Sequence, residues 1–370
     1  MTKIVNIANI DPSEDAGGLN LMVKNIINVQ LEIGVKSSLL YFSNPRSKID
    51  QEIISKKYTN IINFTSQINK ETHYIFHSVY NVKYILMMLL ITMLGSKYSI
   101  HAHGSLSKHC LKKSKLKNTI YRLIIYIMLF FAKKIIFSNE SECKNSIVKK
   151  DNKIMYIPNL IEDPNHAGFA SPKHRKLKKI IYIGKIDYYY KGLKELIESL
   201  SIFLMVNKDF QVEIYGFGNK KNIDIHNIDD REKDVFRLIK EIERKKLNNN
   251  IKYLGPITGP KKIDILLESG AFILTSNSEA MPLSISEALA CSLPVIITKQ
   301  TNMSLYINNY NAGICCENNI ESILMALNSY KDNIIKQHSI YENNARLCFE
   351  NELSKSKLKK YIYDFLTCIR

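Results

Sequence analysis

The sequence is poor in cysteine pairs and in long apolar runs. Its seven cysteines are an odd number, and no C-x-x-C pair occurs. This argues against a disulfide framework and a zinc site, and it favours a reducing compartment. Residues 1–18 contain no apolar h-region, so we see no signal peptide. The apolar runs 85–94 and 120–131 are shorter than the roughly 20 residues that span a bilayer, so buried helices are expected there. A shallow interfacial helix beside the basic cluster 112–117 is the alternative.

The first half of the chain also contains a long stretch without acidic residues. No Asp or Glu occurs from residue 72 to 139, although the chain has 35 acidic and 52 basic residues, a formal charge of +17. The basic residues of this stretch are Lys83, Lys97, Lys108, Lys112, Lys113, Lys115, Lys117, Arg122, Lys133 and Lys134. A face built from them would attract phospholipid headgroups, a phosphorylated substrate or nucleic acid. The alternative is a Lys-, Ile- and Asn-rich composition on a solvated surface. We see no interleaved aromatics and no known module, so no nucleic-acid partner is expected.

The chain does have the length and the alternation of two α/β domains. It has 370 residues, 45% of them hydrophobic, and short apolar strand candidates alternate with amphipathic helices in two series. Such alternation predicts parallel sheets with helices on both faces. The fold class expected is therefore α/β, with two Rossmann-like doubly wound domains facing across a cleft. The predicted bounds are 1–165, a linker at 166–178, and 179–352, with a C-terminal helix at 353–370 that packs back on the first domain.

Two glutamates mark the segment NSEAMPLSISEALACSLPVI. Glu279 follows a strand candidate, where no local structure requires an acid. Glu287 falls in the first turn of a helix expected to begin near Ser284. An anionic ligand with a sugar at each end suits this layout. However, Ser284-x-x-Glu287 is also a capping box, in which Glu287 only satisfies the helix end.

The loop between these glutamates is a candidate phosphate site. Pro282 restricts it, and the amides of Leu283, Ser284 and Ile285 are expected to stand at the helix start without helical acceptors. Because unpaired amides and the helix dipole both favour anions, a phosphate group fits there. Open parallel sheets also bind ligands beyond the carboxyl ends of their strands, which is where this loop should lie.

The sequence EAMPLSISEA resembles the E-x7-E donor-site signature of the retaining glycosyltransferases of family 4, which have the two-Rossmann-domain fold called GT-B. Five further segments resemble family motifs in the same order along almost the whole chain: GGLNLMVKNI, HAHG, SNESE, IPNLIE and YIGKIDYYYKGLKELIESL. Each motif is weak alone. The six in order are specific to the superfamily, although not to a substrate.

The resemblance implies roles for four charged residues. Glu279 matches the glutamate placed near the donor sugar, and Glu287 matches the one that holds the ribose. Lys191 matches the phosphate-binding lysine. Lys185 stands where arginine is usual, so it keeps the charge but loses the bidentate fork. The alternative for both lysines is an ordinary solvated side chain.

The resemblance also extends to the first domain. Gly17 and Gly18 match a turn that lets backbone approach the diphosphate, and the alternative is a plain helix-start turn. His103 matches the histidine that faces the donor sugar, and the alternative is a satisfied core histidine. Ala280 replaces a frequent glycine. No D-x-D occurs, so the metal-diphosphate site of the other large glycosyltransferase architecture is absent, and no essential metal or cofactor is expected.

By this resemblance the chain would be a retaining glycosyltransferase. It would move a sugar from a UDP- or GDP-linked donor to a glycan or lipid-linked glycan acceptor, in synthesis of O-antigen, capsule or exopolysaccharide at the bacterial surface. The expected location is cytoplasmic, with peripheral binding to the anionic inner face of the plasma membrane. The alternatives are a non-catalytic GT-B scaffold subunit and a nucleotide-sugar epimerase or phosphorylase on the same fold.

Overall fold

The chain forms two compact units. The computed structural model describes residues 3–12, 18–45, 55–79, 81–109, 115–149, 152–164, 174–218 and 233–369. The first unit comprises Met1–Leu160 and Lys355–Arg370, and the second comprises Ile161–Ser354. Each unit is built around one parallel sheet, so the predicted α/β class is confirmed.

The sheet of the first unit has the strand order β3-β2-β1-β4-β5-β6-β7, and all its pairs are parallel. Its strands are β1 Lys3–Ala8, β2 Lys36–Tyr41, β3 Ser55–Lys57, β4 Thr72–His77, β5 Lys97–His101, β6 Ile135–Phe137 and β7 Ile154–Tyr156. The order reverses beside β1, which is the topology of a doubly wound sheet.

Helices cover both faces of this sheet. They are α1 Gly18–Glu32, α2 Ile61–Thr65, α3 Val82–Met93, α4 Lys115–Phe131, α5 Glu140–Lys144 and the C-terminal helix α14 Leu358–Ile369. One face carries Phe76 and Ile100 against Met87 of α3, while the other carries Ala8 against Val23 of α1. Helix α14 packs against α1. The strands are apolar on both faces because helices bury both sides.

The second unit repeats the pattern with the order β10-β9-β8-β11-β12-β13. Its strands are β8 Lys176–Ile183, β9 Gln211–Tyr215, β10 Ile251–Tyr253, β11 Ser269–Leu274, β12 Val295–Thr298 and β13 Gly313–Cys316. Its helices are α6 Tyr188–Lys191, α7 Leu193–Val206, α8 Lys233–Arg244, α9 Pro260–Glu268, α10 Leu283–Ala290, α11 Ser304–Tyr310, α12 Ile320–Ser329 and α13 His338–Cys348. Every residue of β11 and β12 is buried, so the loops after them start from fixed positions.

Some predicted bounds differ from the structure. Strand β8 begins at Lys176, inside the segment 166–178 assigned to the linker, and α14 begins at Leu358 rather than at residue 353. The short edge strands β3 and β7 were not predicted, because three residues of an edge strand carry too little periodicity.

The two apolar runs form helices that are buried on one side only. Ten residues of α3, α4 and the turn after α3 are exposed large hydrophobics, and we call them the apolar face: Val82, Leu86, Leu89, Met93, Leu94, Leu123, Tyr126, Ile127, Phe130 and Phe131. The expectation of buried helices was therefore wrong for this side. Among the residues described, no helix has both the length and the hydrophobicity needed to cross a membrane.

Candidate functional site

In the second unit, two loops meet at the carboxyl ends of adjacent strands β8 and β11. The loop after β11 holds the turn after β8 through several hydrogen bonds. The Asn277 amide donates to the Tyr190 carbonyl at 2.7 Å, and the Asn277 side chain donates to the Tyr189 carbonyl at 2.8 Å. The Thr275 hydroxyl donates to the Lys191 carbonyl at 3.2 Å. These bonds set the position of Lys191 relative to the loop that carries Glu279.

Gly192 is required where these loops touch. It has φ of +58°, in the left-handed region, and it joins α6 to α7. A Cβ at this position would lie 2.1 Å from the Thr275 carbonyl oxygen and 2.5 Å from Asn318 Nδ2. Only glycine tolerates both the conformation and the close approach. The glycine after Lys191 in the sequence motif therefore has a structural reason.

Lys191 and Glu279 form an ion pair. Lys191 Nζ donates to Glu279 Oε1, and the two side chains are 15% and 17% exposed. The Ser276 hydroxyl donates to the same oxygen at 2.7 Å. Asn302 donates to the Glu279 carbonyl at 2.7 Å, and the Glu279 amide donates to the Gln300 carbonyl. Two predicted site residues, 88 positions apart, thus come together in a well-fixed loop.

Lys185 lies on the same side but is more loosely held. Its side chain is 46% exposed, and Nζ is 3.9 Å from Asp187 Oδ2. Asp187 is also the N-cap of α6, accepting from the amides of Tyr189 and Tyr190. Tyr182, buried beneath this turn, donates to the Lys185 carbonyl at 3.0 Å. The ammonium group of Lys185 is therefore free to move toward a ligand while its backbone stays fixed.

Helix α10 presents its amino end beside Glu279. Its N-cap is Pro282, and no side chain caps it. The helix starts at Leu283, one residue before the expected start near Ser284. The Ile285 amide donates to the Pro282 carbonyl at 3.2 Å, so one of the three amides expected to be free is engaged. Leu283 and Ser284 hold the first two helical positions, whose amides have no helical acceptor.

Glu287 has a different partner from the one the sequence suggested. It is the fifth residue of α10, beyond the first turn, and Ser284 is not the N-cap, so the capping-box alternative is wrong here. Glu287 Oε1 instead accepts from Lys262 Nζ of α9, and both side chains are largely buried. Lys262 thus adds a third ammonium group to Lys185 and Lys191, and no sequence pattern indicated it.

In the first unit, Gly18 is the first residue of α1, and Gly17 lies outside the described residues. His103 occupies a left-handed turn after β5, with φ of +46°, followed by Gly104 with φ of +78°. Glu142 holds this turn, because its two oxygens accept from the Gly104 and Ser138 amides, both at 2.6 Å. Burial raises the pKa of Glu142, and the two amide bonds oppose that rise.

A buried hydrogen-bond chain orients His103. The Asn6 amide group donates to Gln30 Oε1 at 2.9 Å and to Ser37 Oγ at 3.0 Å. Asn6 Oδ1 must then accept from His77 Nε2, 3.1 Å away. That leaves His77 Nδ1 as an acceptor for His103 Nε2, at 2.9 Å. This network assigns His103 the Nε2–H tautomer, with Nδ1 as a hydrogen-bond acceptor.

Three histidines of this region are stacked. The rings of His101 and His103 lie 3.8 Å apart with 21° between planes, and His77 is inclined 25° to His103. One ring nitrogen of each histidine lies within 4.8 Å of one ring nitrogen of each of the other two. A metal ion must lie near the plane of each ligating imidazole, and nearly parallel stacked planes do not meet at one point about 2 Å from each nitrogen. In this arrangement the cluster fits a hydrogen-bonded stack rather than a metal centre.

Burial favours the neutral form of the histidines in this unit. His73, His77 and His101, which we call the buried histidines, are almost fully covered. Burial lowers the pKa of His77 and of His101 well below the usual value, and it lowers that of His73 to about 3, with Lys97 and Lys133 adding to the effect. Burial also lowers the pKa of His103, whose side chain is only partly covered.

Sequence reasoning missed Ser276, Lys262, Asn6, His77 and Glu142 as parts of the two sites. Glu142 could have been found, since it lies in the SNESE segment noted for its resemblance. The others carry no local signal, because each acts through a partner distant in sequence.

Comparison with known proteins adds the family evidence. Residues 164–347 match the model "Glycosyl transferases group 1". No curated protein matches the chain. Among solved structures, HepE of Anabaena, solved with UDP, is 14% identical with a TM-score of 0.77, covering 99% of this chain and 100% of that one.

Two further structures are similar over their whole length. Sucrose-phosphate synthase of Thermosynechococcus elongatus is 13% identical with a TM-score of 0.74, covering 100% and 99% of the two chains. A glycosyltransferase of Rickettsia africae is 17% identical with a TM-score of 0.74, covering 98% and 97%. At such identities these likenesses show the fold, which is the GT-B fold.

Proposed function

We propose that this chain, a glycosyltransferase by its glycosyl transferases group 1 domain, moves a sugar from a nucleotide-sugar donor to a glycan or lipid-linked glycan, with retention of anomeric configuration. The observation that carries this proposal is the Lys191–Glu279 pair beside the uncapped start of α10. Cations and free amides suit a diphosphate, and a carboxylate suits sugar hydroxyls. UDP or GDP would be the nucleotide. The structures of HepE solved with UDP, and with UDP and glucose, support a nucleotide-sugar donor for this fold.

The chemistry needs charge stabilisation more than a strong base. As the bond between the sugar and the diphosphate breaks, negative charge grows on the phosphate oxygens. Lys185, Lys191 and the amides of Leu283 and Ser284 would stabilise that charge. Once Lys191 contacts the diphosphate, the Glu279 carboxylate would be released from the ion pair and would bind the hydroxyls of the donor sugar. The departing phosphate would take the acceptor's proton, so that retention needs no further base.

The remaining predicted residues would complete the donor and sugar contacts. Glu287 would bind the ribose hydroxyls, with Lys262 fixing its carboxylate. His103 would accept a hydrogen bond from a sugar hydroxyl through Nδ1, the acceptor that its tautomer leaves free. Gly17 and Gly18 would admit the diphosphate close to backbone. We propose that no metal is needed, so activity should persist in excess EDTA.

Two site variants and one matched control test this function. Glu279→Gln and Lys191→Met should each reduce transfer from the donor roughly 100-fold or more, the usual cost of losing one group that stabilises transition-state charge. Lys176→Met removes a similar cation whose partner, Glu268, is on the surface of the same unit, and it should leave transfer unchanged. Circular dichroism should show all three folded. Full activity in both site variants would remove the assignment.

The alternatives give different results with a panel of UDP- and GDP-sugars. A scaffold subunit would bind a nucleotide sugar, raising its melting temperature, without releasing nucleotide. An epimerase would turn over without a second sugar, and a phosphorylase would require phosphate. Nucleotide release that depends on an added glycan acceptor is the result expected for the transferase.

We further propose that the acceptor is membrane-bound, in assembly of a bacterial surface polysaccharide such as O-antigen, capsule or exopolysaccharide. The acid-free stretch from 72 to 139 and the apolar face of α3 and α4 both lie in the first unit, and a surface that is both basic and apolar suits an anionic bilayer. The protein would be cytoplasmic and peripheral on the inner membrane face. Vesicle flotation with no preference for anionic lipid would contradict this location.

A further inference from the structure

A cavity in the first unit lies away from the strand ends that carry His103. Its volume is about 460 Å³, and it opens below the ends of α3 and α4, at the amino ends of β5, β6 and β7. Strand β5 runs from Lys97, which lines the cavity, to His101, a span of roughly 13 Å at 3.3 Å per residue. The cavity is therefore separate from the proposed transfer site of this unit.

The cavity is strongly basic. Lys97, Lys133, Lys134 and Lys153 line it, and none of the described residues that line it is acidic. Lys134 Nζ donates to the Asn152 carbonyl at 3.3 Å, and Lys153 Nζ to the Phe130 carbonyl at 2.5 Å. These carbonyl oxygens help to position two of the ammonium groups beside the cavity. Burial lowers the pKa of His73, and the positive charges of Lys97 and Lys133 add to that effect.

A buried polar group without a partner lines the same cavity. The Ser96 side chain is 8% exposed, and its hydroxyl has no hydrogen-bond partner among the residues that the structure describes. Lysines near helix C-termini often only complement the helix dipole. That explanation covers Lys153, whose Nζ donates to the Phe130 carbonyl in the last turn of α4, but it does not account for the enclosed Ser96 hydroxyl, whose burial without a partner costs free energy. The hydroxyl itself is enclosed, so the lysines rather than Ser96 are the groups of this cavity that a ligand can reach.

The rim of the cavity belongs to the apolar face. Phe130 and Phe131, at the end of α4, line the cavity and are 72% and 50% exposed. Met93, next to the lining residue Thr92, is 80% exposed. A basic hollow bordered by exposed aromatic and aliphatic groups matches a ligand that is anionic at one end and apolar at the other. Inorganic phosphate would contact only the lysines of the hollow and not its apolar rim.

We propose that this cavity binds the phosphate headgroup of an anionic membrane lipid, with the lipid chains against Phe130, Phe131 and Met93. Lys97 and Lys133 supply the principal charge, and Lys134 and Lys153 complete the cradle. Such a site would hold the first unit on the bilayer at one defined place, in addition to general attraction by basic residues. It concerns lipid binding alone and does not depend on sugar transfer.

The test compares two double variants of equal net charge in vesicle flotation. Lys97→Gln/Lys133→Gln removes two cavity lysines, and Lys208→Gln/Lys252→Gln removes two exposed lysines of the second unit. With vesicles of phosphatidylcholine containing about one-third phosphatidylglycerol, the first pair should lower the partition coefficient roughly 30-fold, since each lysine near an anionic surface contributes about 1 kcal/mol. The second pair should lower it less than about twofold. Pure phosphatidylcholine should bind all three proteins weakly.

One further measurement separates a lipid site from other outcomes. Sodium phosphate at matched ionic strength should not raise the melting temperature. Equal losses for the two lysine pairs would overturn the proposal, and so would a phosphate-induced stabilisation that the cavity variant abolishes while vesicle binding is unchanged. Donor hydrolysis in solution should be the same in the cavity variant and the wild type, so this proposal and the proposed function can fail separately.

Discussion

The Lys191–Glu279 pair should be energetically coupled in the free protein and uncoupled by nucleotide. The perturbation is a double-mutant cycle of Lys191→Met, Glu279→Gln and the combined variant. Exposed ion pairs contribute about 0–1 kcal/mol, whereas removing one partner of a buried pair costs about 3–5 kcal/mol. These side chains are 15% and 17% exposed. A coupling of about 1.5–2 kcal/mol is therefore expected.

The single variants should differ for a structural reason. In Lys191→Met the Glu279 carboxylate keeps the Ser276 hydroxyl as a donor, at 2.7 Å. In Glu279→Gln the ammonium group loses its acidic partner, although the amide oxygen can still accept. Each single change should cost about 1–2 kcal/mol, and the combined variant should be less destabilised than the sum of the two.

The assay is urea unfolding followed by circular dichroism, since the chain has no tryptophan. The cycle is repeated with saturating UDP. If Lys191 moves to the diphosphate, the coupling should fall below about 0.5 kcal/mol, the level at which independent sites add. Additive costs without nucleotide would refute the pair, and an unchanged coupling with bound UDP would refute the role of Lys191 in diphosphate binding.

Three other changes probe the fold that positions the sites. The buried histidines have a pKa near 6.5 in the unfolded chain and a far lower pKa in the folded protein, so the unfolded state binds more protons below pH 6.5. The free energy of unfolding should therefore be full above pH 6.5 and fall by about 4 kcal/mol from pH 7.5 to 5.5. In His73→Gln this fall should be smaller by about a third. Gly192→Ala should cost about 3 kcal/mol in denaturant unfolding, against about 1 kcal/mol for Gly255→Ala, where φ is +76° but nothing lies within 4 Å of the added Cβ. Arg175→Met should lower the free energy of unfolding by about 3–5 kcal/mol, because this guanidinium is 3% exposed and donates to one carboxylate and four carbonyls. The control is Lys178→Met, at the exposed ion pair with Asp209, which should cost under about 1 kcal/mol. Equal costs within either matched pair, or a flat pH profile, would contradict these assignments.

The sequence by itself determined the class of fold and the loops that carry the sites. Alternating apolar strands and amphipathic helices predict parallel sheets because burial on both faces leaves a readable period. The glutamate at 279 was recognisable because nothing local required an acid after a buried strand. His103 was noted because it lies where strand β5 should end, whereas Lys191 was identified only by the resemblance of its motif.

Only the tertiary structure decided which groups pair. Lys191 meets Glu279 because the sheet order puts β8 beside β11, and Lys262 meets Glu287 because α9 packs against α10. A single sequence records how each segment is buried, but it does not record which distant segment lies beside it. For the same reason hydropathy showed that α3 and α4 are apolar, and only the packed unit showed which side of each helix is left exposed.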